Sequence, residues 1–222
     1  MSSAALLQLP LFADPDVAGQ WRVRRSARAR RLAVRVFRDG GVEIVAPLRV
    51  APPQIGDFIA RHRPWIERQL KRTVPVDLSF PPASLALRAT AEIWPCDPTV
   101  SRVQLVARLK VRAQELFEPQ LQQLAQLMGV DFRSLQIRLQ RSRWGSCSTR
   151  GTISLNCCLL FQRPEVVSYL LVHELTHLRH MNHGARFWAQ VERFEPQWRV
   201  LDRELSRGWS QVPGWLTARS AP

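Results

Sequence analysis

The chain is 222 residues long, 45% hydrophobic and 23% charged, with 4 cysteines and a formal net charge of +14. That balance supplies apolar material for one core and a second small one, and it excludes a disordered chain or a collagen-like repeat. Four cysteines are too few for a disulfide scaffold, and no run of about 18 apolar residues is present to span a bilayer. The opening MSSAALLQLPLF has no basic n-region, so no secretory signal is expected and the cytoplasm is the expected compartment. Of the 32 basic residues only Lys71 and Lys110 are lysine. The excess admits two readings: a footprint for nucleic acid or another polyanion, or a genome that writes basic surface positions as arginine.

Residues 1–20 read as a flexible leader. From Trp21 the pattern alternates, with Leu32, Val34 and Val36 on one face. Asp39-Gly40-Gly41 supplies a turn, and Val42, Ile44 and Ala46 alternate again up to Pro47, which together predicts a β-hairpin with one buried face. Eight arginines lie between Arg22 and Arg38 with no acid among them, so the strands carry either a basic ridge or a plain solvated face. Ile55, Phe58, Ile59, Ile66 and Leu70 recur at helical spacing, with Pro64 expected to kink that helix or begin a second one. Five prolines between Thr73 and Pro98 mark a connector with a short strand near Leu85–Ile93. Residues 101–128 read as a long amphipathic helix from a Ser101 N-cap to Gly129, with a break at Pro119. Leu135, Ile137 and Leu139 alternate as a strand, and so do Ile153 and Leu155. Pro164 suits the first turn of a helix whose apolar run Val166–Val172 leads into the chemistry. Strands, helices, strands and then three helices make the fold class α+β. The expected divisions are a leader 1–20, a β-rich region with one helix 21–98, a catalytic domain 99–207 and a tail 208–222.

Four of the five histidines fall between His173 and His183. His173-Glu174-Leu175-Thr176-His177 is an H-E-x-x-H segment on a predicted helix. Positions i and i+4 differ by about 40° of rotation, so both imidazoles leave one face and can grip one ion. Glu174 stands about 100° round the helix, beside the ion, where a carboxylate can take a proton from water. A buried helix with hydrogen-bonded histidines is the bland alternative. A hydrolytic zinc site needs a third protein ligand and an open position. His183 is favoured, because Asn182-His183-Gly184 is a credible turn that swings the chain back under the metal. His180 is the rival, but about 10 Å along the axis separates it from His173 on a straight helix. Glu192, Glu195 and Glu204 are weaker options. Without a C-x-x-C pair, all four cysteines read as reduced small hydrophobes, Cys157 and Cys158 on opposite faces of a strand and Cys147 near the metal.

The segments Arg143-Trp144-Gly145-Ser146-Cys147-Ser148, Ile153-Ser154-Leu155-Asn156, Pro164, Tyr169, His173 through Leu178, and Asn182-His183 followed by Phe187-Trp188 closely resemble the YgjP-like metallopeptidase family, a relative of the SprT-like zincins. Val23-Arg24-Arg25-Ser26, Arg30-Arg31-Leu32, the Asp39-Gly40 turn, Pro47 and Trp65-Ile66 resemble the same family's leading region. The resemblance spans about residues 21–205. It implies a zincin-like metallopeptidase fold with an N-terminal β-hairpin region and a C-terminal helical H-E-x-x-H core, zinc on His173, His177 and His183, and Glu174 as base. Two features depart from the pattern: Gly184 where a Ser is expected, and a short stretch around residues 74–98.

The expected activity is therefore metal-dependent hydrolysis, foremost of peptide bonds. Tyr169 lies one turn before His173 on the metal's side and is a candidate oxyanion donor, as are Arg143 and Asn156. Two other classes stand beside the peptidase. One is a metal-dependent nucleoside-triphosphate pyrophosphatase acting on a nucleotide substrate. The other is a basic nucleic-acid-binding protein whose zinc only staples the fold, making contact through the Arg-rich N-terminal region. No membrane contact is expected.

Overall fold

The computed structural model describes residues 21–37, 41–71 and 80–217. The expected leader 1–20, the Asp39-Gly40 turn and the end of the expected tail lie outside these residues. The α+β class is observed, in two compact units divided between Asp77 and Leu78. Among the described residues no helix is long and apolar enough to cross a membrane.

The first unit is a three-stranded sheet with one helix. Strands β1 (Trp21–Ser26), β2 (Ala33–Val36) and β3 (Val42–Pro47) run in the order β1-β3-β2. β2 and β3 form the expected antiparallel pair, Val34 opposite Ile44. β1 adds on the other edge of β3 in parallel, which hairpin logic does not anticipate. Helix α1 (Pro52–Leu70) lays Ile55, Ile59 and Ile66 on Val42, Ile44 and Ala46. Gln54 reaches back to the Ala51 amide at 3.0 Å and caps it. The helix runs on through Pro64, with no second helix begun there, because Ile59 and Ile66 on either side are both held in the core. On β3, Glu43 is 2% exposed and accepts Arg22 at 2.9 Å, with Arg24 at 3.3 Å and Arg35 at 4.0 Å as ion-pair partners. Three arginines of the expected ridge are thus gathered round one buried carboxylate.

The second unit carries the histidines. Strands β4 (Ser84–Leu87) and β5 (Glu92–Pro95) form a hairpin where one short strand was expected, turning through Ala91 at φ 56°. Residues 80–98, grouped by sequence with the N-terminal region, deliver Leu85 and Leu87 to this unit's core. Helix α2 (Arg102–Met128) starts at Ser101, whose hydroxyl accepts the Gln104 amide at 3.2 Å while Gln104 caps Ser101 in return, and stops at a left-handed Gly129. Pro119 does not break it: Phe117 and Leu121 flank the proline, and both are fully buried in a stripe running from Leu105 to Met128.

Strands β6 (Ser134–Arg138), β7 (Gly145–Cys147) and β8 (Thr152–Asn156) make a second three-stranded sheet in the order β6-β8-β7. β8 is central, parallel to β6 and antiparallel to the three-residue edge strand β7. Cys157 and Cys158 are not on a strand. They open a 3-10 helix, Cys157–Phe161, whose residues are all buried, so both thiols point inward. Helix α3 (Pro164–Thr176) follows, with Pro164 in its first turn, then α4 (Ala185–Phe194), α5 (Trp198–Arg207) and the short α6 (Gly214–Thr217). Nearly every residue from Val166 to Val172 is buried, so α3 is a core helix that carries His173 and Glu174 at its end.

Candidate metal centre

α3 ends inside the motif. His177 is its C-cap, and the next amides fold back on Leu175 and Thr176 in a tightened turn. The chain then passes Asn182, His183 and Gly184 before α4 begins. This return brings one nitrogen each of His173, His177 and His183 within 4.8 Å of one another. His180 is not in that group. Its backbone carbonyl instead lies 3.1 Å from Nδ1 of His177, which frees the Nε2 of that ring. The acidic alternatives are engaged elsewhere: Glu192 with Arg199, Glu195 with the Gln197 amide, and Glu204 with Arg163 at 2.7 Å.

The Nε2 atoms of His173 and His183 face each other at 3.1 Å. Two bare imidazole nitrogens repel at that separation unless a proton or a cation sits between them. A tetrahedral ion with Zn–N bonds of about 2.0–2.1 Å would space its nitrogens about 3.3 Å apart, so the donor set fits such a metal. Burial, reinforced by the neighbouring His177 and His183, pushes His173 down to about 3. Burial lowers His177 as well. Both rings are therefore neutral at pH 7, as metal ligands must be. Phe187, fully buried on α4, packs its ring 4.6–4.9 Å from all three imidazoles and walls one side.

Glu174 lines the same cavity, of about 250 Å³, with Arg143, Gly145, Ser146, Cys147, Met181 and the three histidines. It is 4% exposed, and its Oε2 is buried with no hydrogen-bond partner among the described residues. Burial pushes its carboxyl up to about 8. An orphaned carboxylate oxygen beside a convergent histidine set is what a bound water or substrate proton would satisfy. Gly145 explains how the carboxylate fits: a Cβ there would stand 2.5 Å from Glu174 Oε1. Cys147 lies in the cavity as expected, its thiol pushed up to about 11 by burial and by the charge of Glu174.

The other candidates divide. Arg143 lines the cavity. Tyr169 does not. It is fully buried on α3, its hydroxyl donating to Asp202 at 2.8 Å and lying 3.4 Å from Nδ1 of His173, so an oxyanion role is closed to it. Burial and then Asp202 raise its phenol well above the usual range. Asn156 is also removed from the chemistry. Fully buried, it donates to the Gln140 and Arg143 carbonyls at 2.7 and 2.8 Å and accepts the Cys158 amide at 3.1 Å. It pins the loop that presents Arg143. Asp202 and the roles of Gly145 and Phe187 were not found by sequence reasoning. Asp202 lies 29 residues from His173 with no spacing signal, whereas Gly145 and Phe187 stand within motifs already singled out.

A search of curated proteins returns no match. Among solved structures, the metallopeptidase zymogen of Pyrococcus abyssi abylysin is similar at 24% identity with a TM-score of 0.39, over 43% of this chain and 97% of that one. The zymogen of Methanocaldococcus jannaschii jannalysin is similar at 16% identity and 0.38, over 41% and 95%. The family model for the YgjP-like metallopeptidase domain matches residues 30–94 and 96–208, nearly all of the region that holds the three sheets and every histidine of the cluster. The chain belongs to the YgjP-like metallopeptidase family.

Proposed function

We propose that this metallopeptidase is a zinc enzyme that hydrolyses peptide bonds in polypeptide substrates, with His173, His177 and His183 as ligands and Glu174 as general base. The observation that carries the reading is the convergence of three imidazoles on the cavity that also holds the unpartnered oxygen of Glu174. Zinc bound there would polarise the scissile carbonyl and bring the pKa of an attached water near 7. Glu174 takes the proton of the attacking water and returns it to the departing amine, which restores its carboxylate. Gly145, having no side chain, leaves the room the carboxylate occupies, and Arg143 at the cavity can donate to the carbonyl oxygen as charge develops there. Phe187 excludes water from the ligand side of the rings.

Zinc content and peptide hydrolysis of the wild type, His183→Ala and Glu174→Gln test this together. About one zinc per chain, lost in His183→Ala but kept in Glu174→Gln, with hydrolysis lost in both variants, supports the reading. A wild type that binds no zinc after reloading refutes it. Turnover of nucleoside triphosphates without peptide hydrolysis would assign the site to the pyrophosphatase class, and full function in Glu174→Gln would reduce the zinc to a staple.

A further inference from the structure

His173 differs from the other two histidines in what stands behind its ring. Its Nε2 faces His183, and its Nδ1 is directed at the buried hydroxyl of Tyr169, 3.4 Å away. That hydroxyl donates to Oδ1 of Asp202 at 2.8 Å. Tyr169 sits one turn before His173 on α3, and α5, packed on α3, brings in Asp202. We propose that Asp202 and Tyr169 are positioning residues for His173: the Asp202–Tyr169–His173 chain holds its proton on Nδ1 and leaves Nε2 bare toward His177 and His183.

The direction of the chain follows from donor counting. A phenol has one proton, and a carboxylate only accepts, so the Tyr169 proton is committed to Asp202. The lone pairs left on the Tyr169 oxygen can only accept from His173, which requires the proton on Nδ1. Were Tyr169 to donate to Nδ1 instead, the proton would sit on Nε2 and close the nitrogen that the cavity needs. Phe187 at 4.9 Å and Trp188 at 5.9 Å pack against the His173 ring but offer no acceptor, since Phe has no polar atom and Trp only a donor. The 3.4 Å link is the longer of the two, and such bonds shorten as a site is loaded. A ligand histidine whose outer nitrogen is held this way binds metal more tightly by roughly 10–100-fold. Its use for metal binding rests on the zinc reading above, whereas the tautomer is a property of the metal-stripped protein itself.

The ring nitrogen shifts of His173, read by NMR on metal-stripped protein, test the relay directly. The wild type is expected to hold one tautomer, protonated on Nδ1. Tyr169→Phe, which removes a single oxygen, should give a mixture. Asp202→Ala frees the hydroxyl to donate to Nδ1 and should move the population toward protonation on Nε2. Zinc affinity by chelator competition should fall about 10–100-fold in each variant. Adding Tyr169→Phe to Asp202→Ala should cost nothing further, because the two act as one chain. An unchanged tautomer in both variants, or losses of affinity that simply add, would overturn the relay and leave Asp202 as a partner that only satisfies a buried phenol. A wild type that binds no zinc would refute the metal reading alone, and the ring shifts would still decide the relay.

Discussion

Replacing Glu174 by Gln in the metal-stripped protein should raise stability, by an amount that grows with pH. The carboxyl titrates at about 8 in the folded chain against 4.5 as its ordinary value, and burial is the cause. A carboxyl with a raised folded pKa binds its proton more tightly when folded, so its contribution is favourable at low pH and is lost as pH rises from 4.5 toward 8. At about 1.4 kcal/mol per pH unit, the step from pH 5 to pH 7 costs the wild type about 2–3 kcal/mol. Gln carries no charge in either state and escapes that cost, although its amide inherits the lack of partners. His173 and His177 titrate alike in both proteins and cancel in the comparison. Urea unfolding of wild type and Glu174→Gln, both stripped with chelator, at pH 5 and pH 7 measures the difference. Expected is a relative gain for the variant of about 2 kcal/mol or more between the two pH values. A gap that does not change with pH would show that burial does not raise the Glu174 carboxyl in the metal-stripped chain.

Gly145→Ala forces a Cβ against Glu174 Oε1, so peptide hydrolysis should drop about 10–100-fold in kcat while zinc content stays at the wild-type level. Asn156→Ala removes three buried hydrogen bonds and should cost about 2–4 kcal/mol in chemical unfolding, an unchanged midpoint being the contrary result. Glu43→Ala leaves Arg22, Arg24 and Arg35 without their shared carboxylate. Because those guanidiniums are 41–62% exposed on their side chains, the loss should be only about 1–2 kcal/mol, read as a lowered melting temperature. Gly184→Ser places a capping hydroxyl at the start of α4, where a Cβ meets nothing within 4 Å, and should add a few tenths of a kcal/mol.

Periodicity and caps carried the local structure well. The Ser101 and Gly129 boundaries of α2, the β2–β3 pair and the first turn of α3 at Pro164 follow from rules that act within a few residues. The expected break at Pro119 did not occur, because burial of the residues on both sides of the proline outweighs one missing hydrogen bond. Those rules also failed at Cys157-Cys158, where the Asn156 side chain caps a 3-10 turn and ends the strand.

The histidine cluster was legible because its donors lie within eleven residues, and a helix followed by a short return leaves few ways to place them. Family membership was legible for the same reason, as its motifs are short and contiguous. Two things were decided only by tertiary structure. Tyr169 shares the helical face of His173, yet it serves that ring from behind, because α5 presents a carboxylate to its hydroxyl from 33 residues away. Glu174 owes its raised pKa to its burial in the folded unit, where its Oε2 meets no donor among the described residues. Spacing along a helix dictates which side chains share a face, but the dielectric and the hydrogen-bond partners of each come from whatever segments the fold packs against it.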